Sequence, residues 1–159
     1  MISSSATSLF LQATKTISDI DTEVASGSIS LAVQSYIAKY LTVYLSGIYE
    51  ESIEQIVKEF SVKSGKTEIE NYIAKEVDKS FRNPDMAKIL ELVGKFNRSW
   101  ATTLKSLDIQ YKDAIDSIVA NKNLIAHGSS STLTINDVKD FHNRAKVVIE
   151  KIDELFLTT

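Results

Sequence analysis

Cysteine is absent from this chain. Disulfides, thiolate nucleophiles and cysteine-based zinc sites are therefore excluded together, and the lack of thiols fits a reducing compartment. Proline occurs once and glycine five times in 159 residues, too few for a turn-rich β fold. Neither sign of charge dominates. Lys and Arg number 18 against 21 Asp and Glu, a net charge of -3. No overall basic field draws such a chain to nucleic acid or to an anionic membrane, so any such binding needs a local patch. Long apolar runs are also missing. Ser, Thr, Gly or a charged residue interrupts each one well short of a membrane span. The opening residues, MISSSATSLFLQATKTISDID, carry neither the basic start nor the apolar run of a signal peptide. These absences lead to the expectation of a cytoplasmic protein with no membrane segment.

What is present is 43% hydrophobic residues, enough for a globular chain, and a length that suits one domain spanning 1–159. The apolar pattern is helical nearly throughout. Leu9, Ala13, Ile17, Ile20 and Val24 recur at three and four, one face of a helix that the SGS at 26–28 breaks. A long second helix carries Ile37, Leu41, Tyr44 and Ile48, then Ile53, Ile56, Val57 and Phe60, and Gly65 ends it. Thr67 with Glu70 reads as a capping box for a short third helix. Asn83-Pro84 reads as an N-cap with proline in the first turn, ahead of Met86, Ile89, Leu90 and Val93. Residues 94–100 are less regular. Asp108 can cap the helix of Ile115, Ile118 and Val119, and Thr134 precedes a final stripe of Val138, Phe141, Ala145, Val148, Ile152 and Leu155. The expected fold is all-α, a compact helical bundle of about five to seven helices.

Most motif-like stretches have a plain structural reading. SGKT at 64–67 resembles the end of a phosphate loop, but Phe60 stands where that loop needs its first glycine. A helix stop followed by a cap explains it better. NRS at 97–99 matches a glycosylation acceptor in a chain without a secretory signal. The two histidines, His127 and His142, stand fifteen positions apart, not at the spacing of a helical metal pair, and no regular loop of oxygen ligands occurs. No metal or cofactor is expected. His142 reads as a solvated residue on the polar side of the last helix. Glu50, Glu51 and Glu54 read as a solvated charge cluster, except that Glu51 continues the apolar stripe. A carboxylate there would sit at the edge of the core and want a donor partner.

One stretch asks for more: VANKNLIAHGSSSTLTIND, residues 119–137. Asn123 and His127 are four apart and share a helix face. Lys122 reaches the same edge on its long side chain. His127 lies in the last turn, where the helix dipole attracts cations, and Gly128 suits the left-handed residue that closes a helix. By spacing alone, a lysine and a histidine decorating a helix C-terminus is the simpler reading. The other is a site with an imidazole, an amide and a cation gathered at a helix end.

KNLIAHG resembles the signature of the HEPN domains, an arginine followed after four to six residues by a histidine at a helix end. Asn123, Ala126, His127 and Gly128 match it. The flanking DAIDSIVANKNLIAHG and LTINDVKDFHNRAKVVIEKIDELF resemble the last two helices of the RiboL-PSP-like branch, and VYLSGIYEESIEQIVKEF its second helix, with a glutamate after an aromatic. The resemblance implies a small helical bundle that dimerises, with two motifs facing one cleft. It also implies a metal-independent endoribonuclease of toxin–antitoxin or phage-defence type, with RNA as substrate and a possible antitoxin or defence-system partner. Other members of the family are inactive modules that bind a protein, RNA or nucleotide. On the catalytic reading Lys122 and His127 act on RNA, supported by Asn123, Glu50 and Glu51. The chemistry is consistent. The 2′-hydroxyl of RNA is an internal nucleophile, an imidazole moves protons near neutral pH, and a cation steadies the phosphate. Lys122 stands where the family has arginine, which keeps the charge and loses the bidentate fork. A natural variant, a degenerate site and a deliberate change all fit that difference.

Overall fold

The computed structural model describes residues 1–63 and 65–158, which form seven helices and no strand. They are α1 (Ser4–Ala25), α2 (Leu31–Val62), α3 (Thr67–Ser80), α4 (Met86–Phe96), α5 (Arg98–Lys105), α6 (Ile109–Ala126) and α7 (Ile135–Leu157). The long α2 is the axis of the bundle. It packs against α7, α1, α6 and α3, while α6 and α7 pack on each other. Each expected stripe turns inward. Ile53, Ile56, Val57, Ile115, Ile118, Val138, Ala145, Val148 and Ile152 are all buried in one core. An aromatic knot closes one end, where Phe156 meets Phe60 edge-on at 5.3 Å, Phe96 at 5.1 Å and Trp100 at 4.9 Å between centroids.

Side-chain caps start every helix but α3. Ser3, Ser30, Asp85, Asn97, Asp108 and Thr134 each accept a backbone N–H of their own first turn, relieving donors that have no intrahelical acceptor. Thr134 and Asp137 form a full capping box. The NRS tripeptide is such a cap. The Asn97 carboxamide accepts from the amide and hydroxyl of Ser99 at 2.8 Å each.

Two expected caps are corrected. At α3 the N-cap is Lys66, with no capping side-chain bond, so Thr67 lies inside the helix and the Thr67–Glu70 box does not form. Ser64 of the SGKT stretch lies outside the described residues; Gly65, with φ +65°, follows the end of α2. At α4 the cap is Asp85, not Asn83. Asp85 is extended and accepts from the Lys88 N–H at 2.9 Å, while Asp116 of α6 takes the Met86 N–H at 2.7 Å. Asn83 stays outside the helix with φ +51°, a left-handed conformation that asparagine tolerates better than most residues.

His142 is also corrected. It is 4% exposed, not solvated. Its ring packs against Phe10 (5.5 Å) and Tyr49 (6.0 Å), themselves 6.2 Å apart, in a cluster of three rings, and Nδ1 lies 3.1 Å from the Tyr49 hydroxyl. Its place beside Phe141 moves it to the flank of the α7 stripe, and α1 closes over that flank with Phe10. Burial pushes the imidazole pKa down to about 4, with Lys146 adding to the effect.

Candidate functional site

The end of α6 is closed by a complete Schellman motif. The Gly128 N–H donates to Ile125 O at 3.1 Å and the Ser129 N–H to Leu124 O at 2.9 Å, with Gly128 at φ +73°. His127 is the C-cap residue and its own N–H donates to Asn123 O at 3.0 Å. The N–H groups of His127, Gly128 and Ser129 are therefore all spent on carbonyls of the last turn. The His127 side chain is exposed, and no hydrogen bond or ion pair engages it among the described residues. The chain beyond it is pinned. The buried Ser131 hydroxyl donates to the Asn121 carboxamide at 3.0 Å, and Asn121 in turn donates to Ser117 O at 2.9 Å.

Lys122 is half-buried and already engaged. Its ammonium donates to Oδ1 of Asn83, in the loop between α3 and α4. The same Asn83 donates its backbone N–H to Glu50 Oε2 at 2.8 Å. The other Glu50 oxygen holds the Arg82 guanidinium at 3.2 Å. Arg82 Nη2 also donates to Asp78 O at 2.7 Å, and the Lys88 ammonium donates to Arg82 O at 2.6 Å. One polar chain thus runs from Glu50 on α2, through Arg82 and Asn83, to Lys122 on α6. Asn123, next along α6, opens instead onto a groove of about 340 Å³ with Asp85, Ala87, Asp116 and Val119.

The three glutamates of α2 separate. Glu50 joins the Lys122 chain. Glu51, expected at the edge of the core, is exposed and accepts from Gln55 Nε2 at 2.6 Å, on the side where Ser4, Ser5 and Ser8 of α1 line a groove. Glu54, read as solvated, is 5% exposed with one oxygen unpartnered. Burial pushes its carboxyl up, and Lys58, 3.5 Å away, opposes that. Glu51 points about 100° away from Glu50, whereas Glu50 and Glu54, four apart, point within about 40° of each other; their neighbours separate those two, Arg82 and Asn83 at Glu50 and Lys58 at Glu54.

The RiboL-PSP-HEPN family model matches residues 8–158. This chain belongs to the RiboL-PSP-HEPN family. No curated protein and no solved structure matches it. The all-α bundle is that of a HEPN module, and His127 and Gly128 follow the last residue of α6. Among the described residues no group of three or more His, Asp or Glu is placed to hold a metal ion, and no helix is long and apolar enough to cross a membrane. Arg82 and Asn83, which link Glu50 to Lys122, carry no sign of that role in the sequence. RNPD between two helices looks like an ordinary turn, and nothing in its spacing ties it to Glu50 or Lys122, which lie more than thirty positions away on either side.

Proposed function

We propose that this HEPN module is a metal-independent endoribonuclease, acting as a homodimer with its two α6 termini at one cleft. The observation that carries the reading is the His127 side chain, exposed and unengaged at a helix end closed by a Schellman motif, five positions after Lys122. In the reaction the RNA 2′-hydroxyl attacks the adjacent phosphorus and the bond to the 5′-oxygen breaks. The products are a 2′,3′-cyclic phosphate and a free 5′-hydroxyl. His127 takes the 2′-hydroxyl proton, and the partner copy's imidazole protonates the leaving oxygen. Lys122 steadies the phosphate, Asn123 donates to a phosphate oxygen, and Glu50 braces Lys122 through Asn83.

A second copy is supported by an unpartnered stripe on α2. Val33, Tyr36, Tyr40 and Val43 are exposed at steps of three and four, with Leu124 of α6 also exposed, a larger apolar run than scattered surface residues make. Light scattering should report about twice 17.7 kDa, and a strict monomer removes the shared cleft. The biological setting that suits such activity is a cytoplasmic toxin or phage-defence effector restrained by a partner protein.

A second reading has its own observation. The Lys122 ammonium is already bonded to Asn83, which suits a module that binds RNA, nucleotide or protein without cutting. Incubation of RNA with wild type and His127→Ala, chelator present, separates the two. Cleavage by wild type alone, ending in 2′,3′-cyclic phosphate, supports the nuclease. Intact RNA with a folded wild-type dimer supports the binding module.

A further inference from the structure

We infer that Arg82, in the α3–α4 loop, is the phosphate-gripping arginine of this site and supplies the planar fork that Lys122 lacks. The inference rests on the RNA reading above. Three observations lead to it. First, Arg82 is joined to the motif helix by short links. It shares the Glu50 carboxylate with the Asn83 backbone, and the Asn83 side chain receives the Lys122 ammonium. Second, its guanidinium is held but not used up. Glu50 and Asp78 O take one donor each from Nη1 and Nη2, of the five N–H donors a guanidinium carries. The side chain remains 63% exposed. Third, the loop is bound into one shape. Asn83 sits at φ +51°, fixed at both backbone and side chain, and Lys88 clasps the Arg82 carbonyl at 2.6 Å. A left-handed non-glycine residue persists only where its surroundings hold it.

The difference between a lysine and an arginine then has a structural counterpart. Lysine offers a point charge and arginine offers two aligned N–H bonds to a phosphate. Here the point charge stands on α6 and the fork on the neighbouring loop. Glu50 acts as a positioning residue for that fork. Its carboxylate, 21% exposed, orients the guanidinium as a clamp partner would and leaves its outer donors to a ligand.

The test is binding of a short 2′-O-methyl RNA oligonucleotide, which cannot be cut, followed by fluorescence anisotropy across a salt series. Arg82→Ala should weaken binding about tenfold, the loss of one charge-assisted contact. It should also flatten the dependence of log affinity on log salt by about 0.7, one phosphate contact on a single strand. Arg82→Lys should keep the salt slope and lose most of the affinity, because charge alone survives. Lys122→Arg placed on Arg82→Ala should recover affinity. An Arg82→Ala protein that binds like wild type overturns the inference and leaves the nuclease reading standing. A folded wild type that neither binds nor cuts RNA overturns both.

Discussion

The two histidines of this chain occupy opposite kinds of surroundings, although both lie on or beside core-forming helices. His127 caps α6 and faces solvent, its backbone locked and its ring unengaged. His142 is buried in a three-ring cluster with Phe10 and Tyr49, with a hydroxyl at its Nδ1. A ring shut inside the bundle resists protonation, because a charge there has lost its water. A ring at an open helix end keeps its water and stays accessible. One sequence letter therefore serves packing in one place and is left free of packing in the other, and burial makes the division.

The sharpest way to break that comparison is to remove each ring. His127→Ala should lower RNA cleavage by about 10² to 10⁴, the usual worth of a general acid–base group, with an unchanged urea midpoint. His142→Ala should do the reverse. It opens a cavity in the core and strands the Tyr49 hydroxyl, so the loss of stability should be on the order of 3 kcal/mol by urea unfolding. Cleavage per folded molecule should hold. If His127→Ala also destabilises the fold by that much, the imidazole is a structural element and the contrast fails.

Acid sharpens the same contrast. His142 titrates at about 4 when folded and near 6.5 when unfolded. The unfolded chain therefore binds the extra proton across that window. Stability attributable to this ring is complete above about pH 6.5 and falls as pH drops towards 4, by roughly 3 kcal/mol in total. Urea unfolding of wild type and His142→Gln at pH 7, 6, 5 and 4 checks it, because the variant should lose that part of the slope. Glu54 contributes with the opposite sign. Its raised folded pKa gives stability present in acid that is lost as pH climbs past that value, so it offsets part of the His142 slope in the wild-type curve.

Smaller effects test the motif end alone. Lys122→Arg should raise cleavage severalfold, and by more when Arg82 is absent, since a fork at either position serves the phosphate. RNA left uncut by Lys122→Arg in a folded dimer favours the binding module. Smallest of all, Thr134→Ala removes the α7 capping box and should cost about 1 kcal/mol. Thermal unfolding measures that, and His127 chemistry should remain because Ser131 still anchors the intervening loop.

Much of the bundle was readable from one line of letters. Stripes at three and four place side chains on one face wherever the helix ends up. Asp108, Thr134 and Gly128 act on their own first or last turn, so their roles are local and survive any packing. Local rules failed where two candidates competed within a few residues. Asn83 lost to Asp85 because Asp85 adopts the extended cap conformation and Asn83 the left-handed one, a choice that Glu50 and Lys122 brace from two other helices. His142 was misread because its surroundings come from α1 and α2, more than ninety positions upstream.

By itself, the sequence determined the main helical stripes, the caps at Asp108 and Thr134, and the placing of His127 and Gly128 at a helix end, because hydrogen bonds within one turn and the periodicity of one segment decide those. Only the tertiary structure decided which of Glu50, Glu51 and Glu54 joins Lys122, that Arg82 enters the same network, and that His142 is core. Those outcomes depend on which neighbour occupies each 100° sector around α2 and α7, and no single helix carries that information.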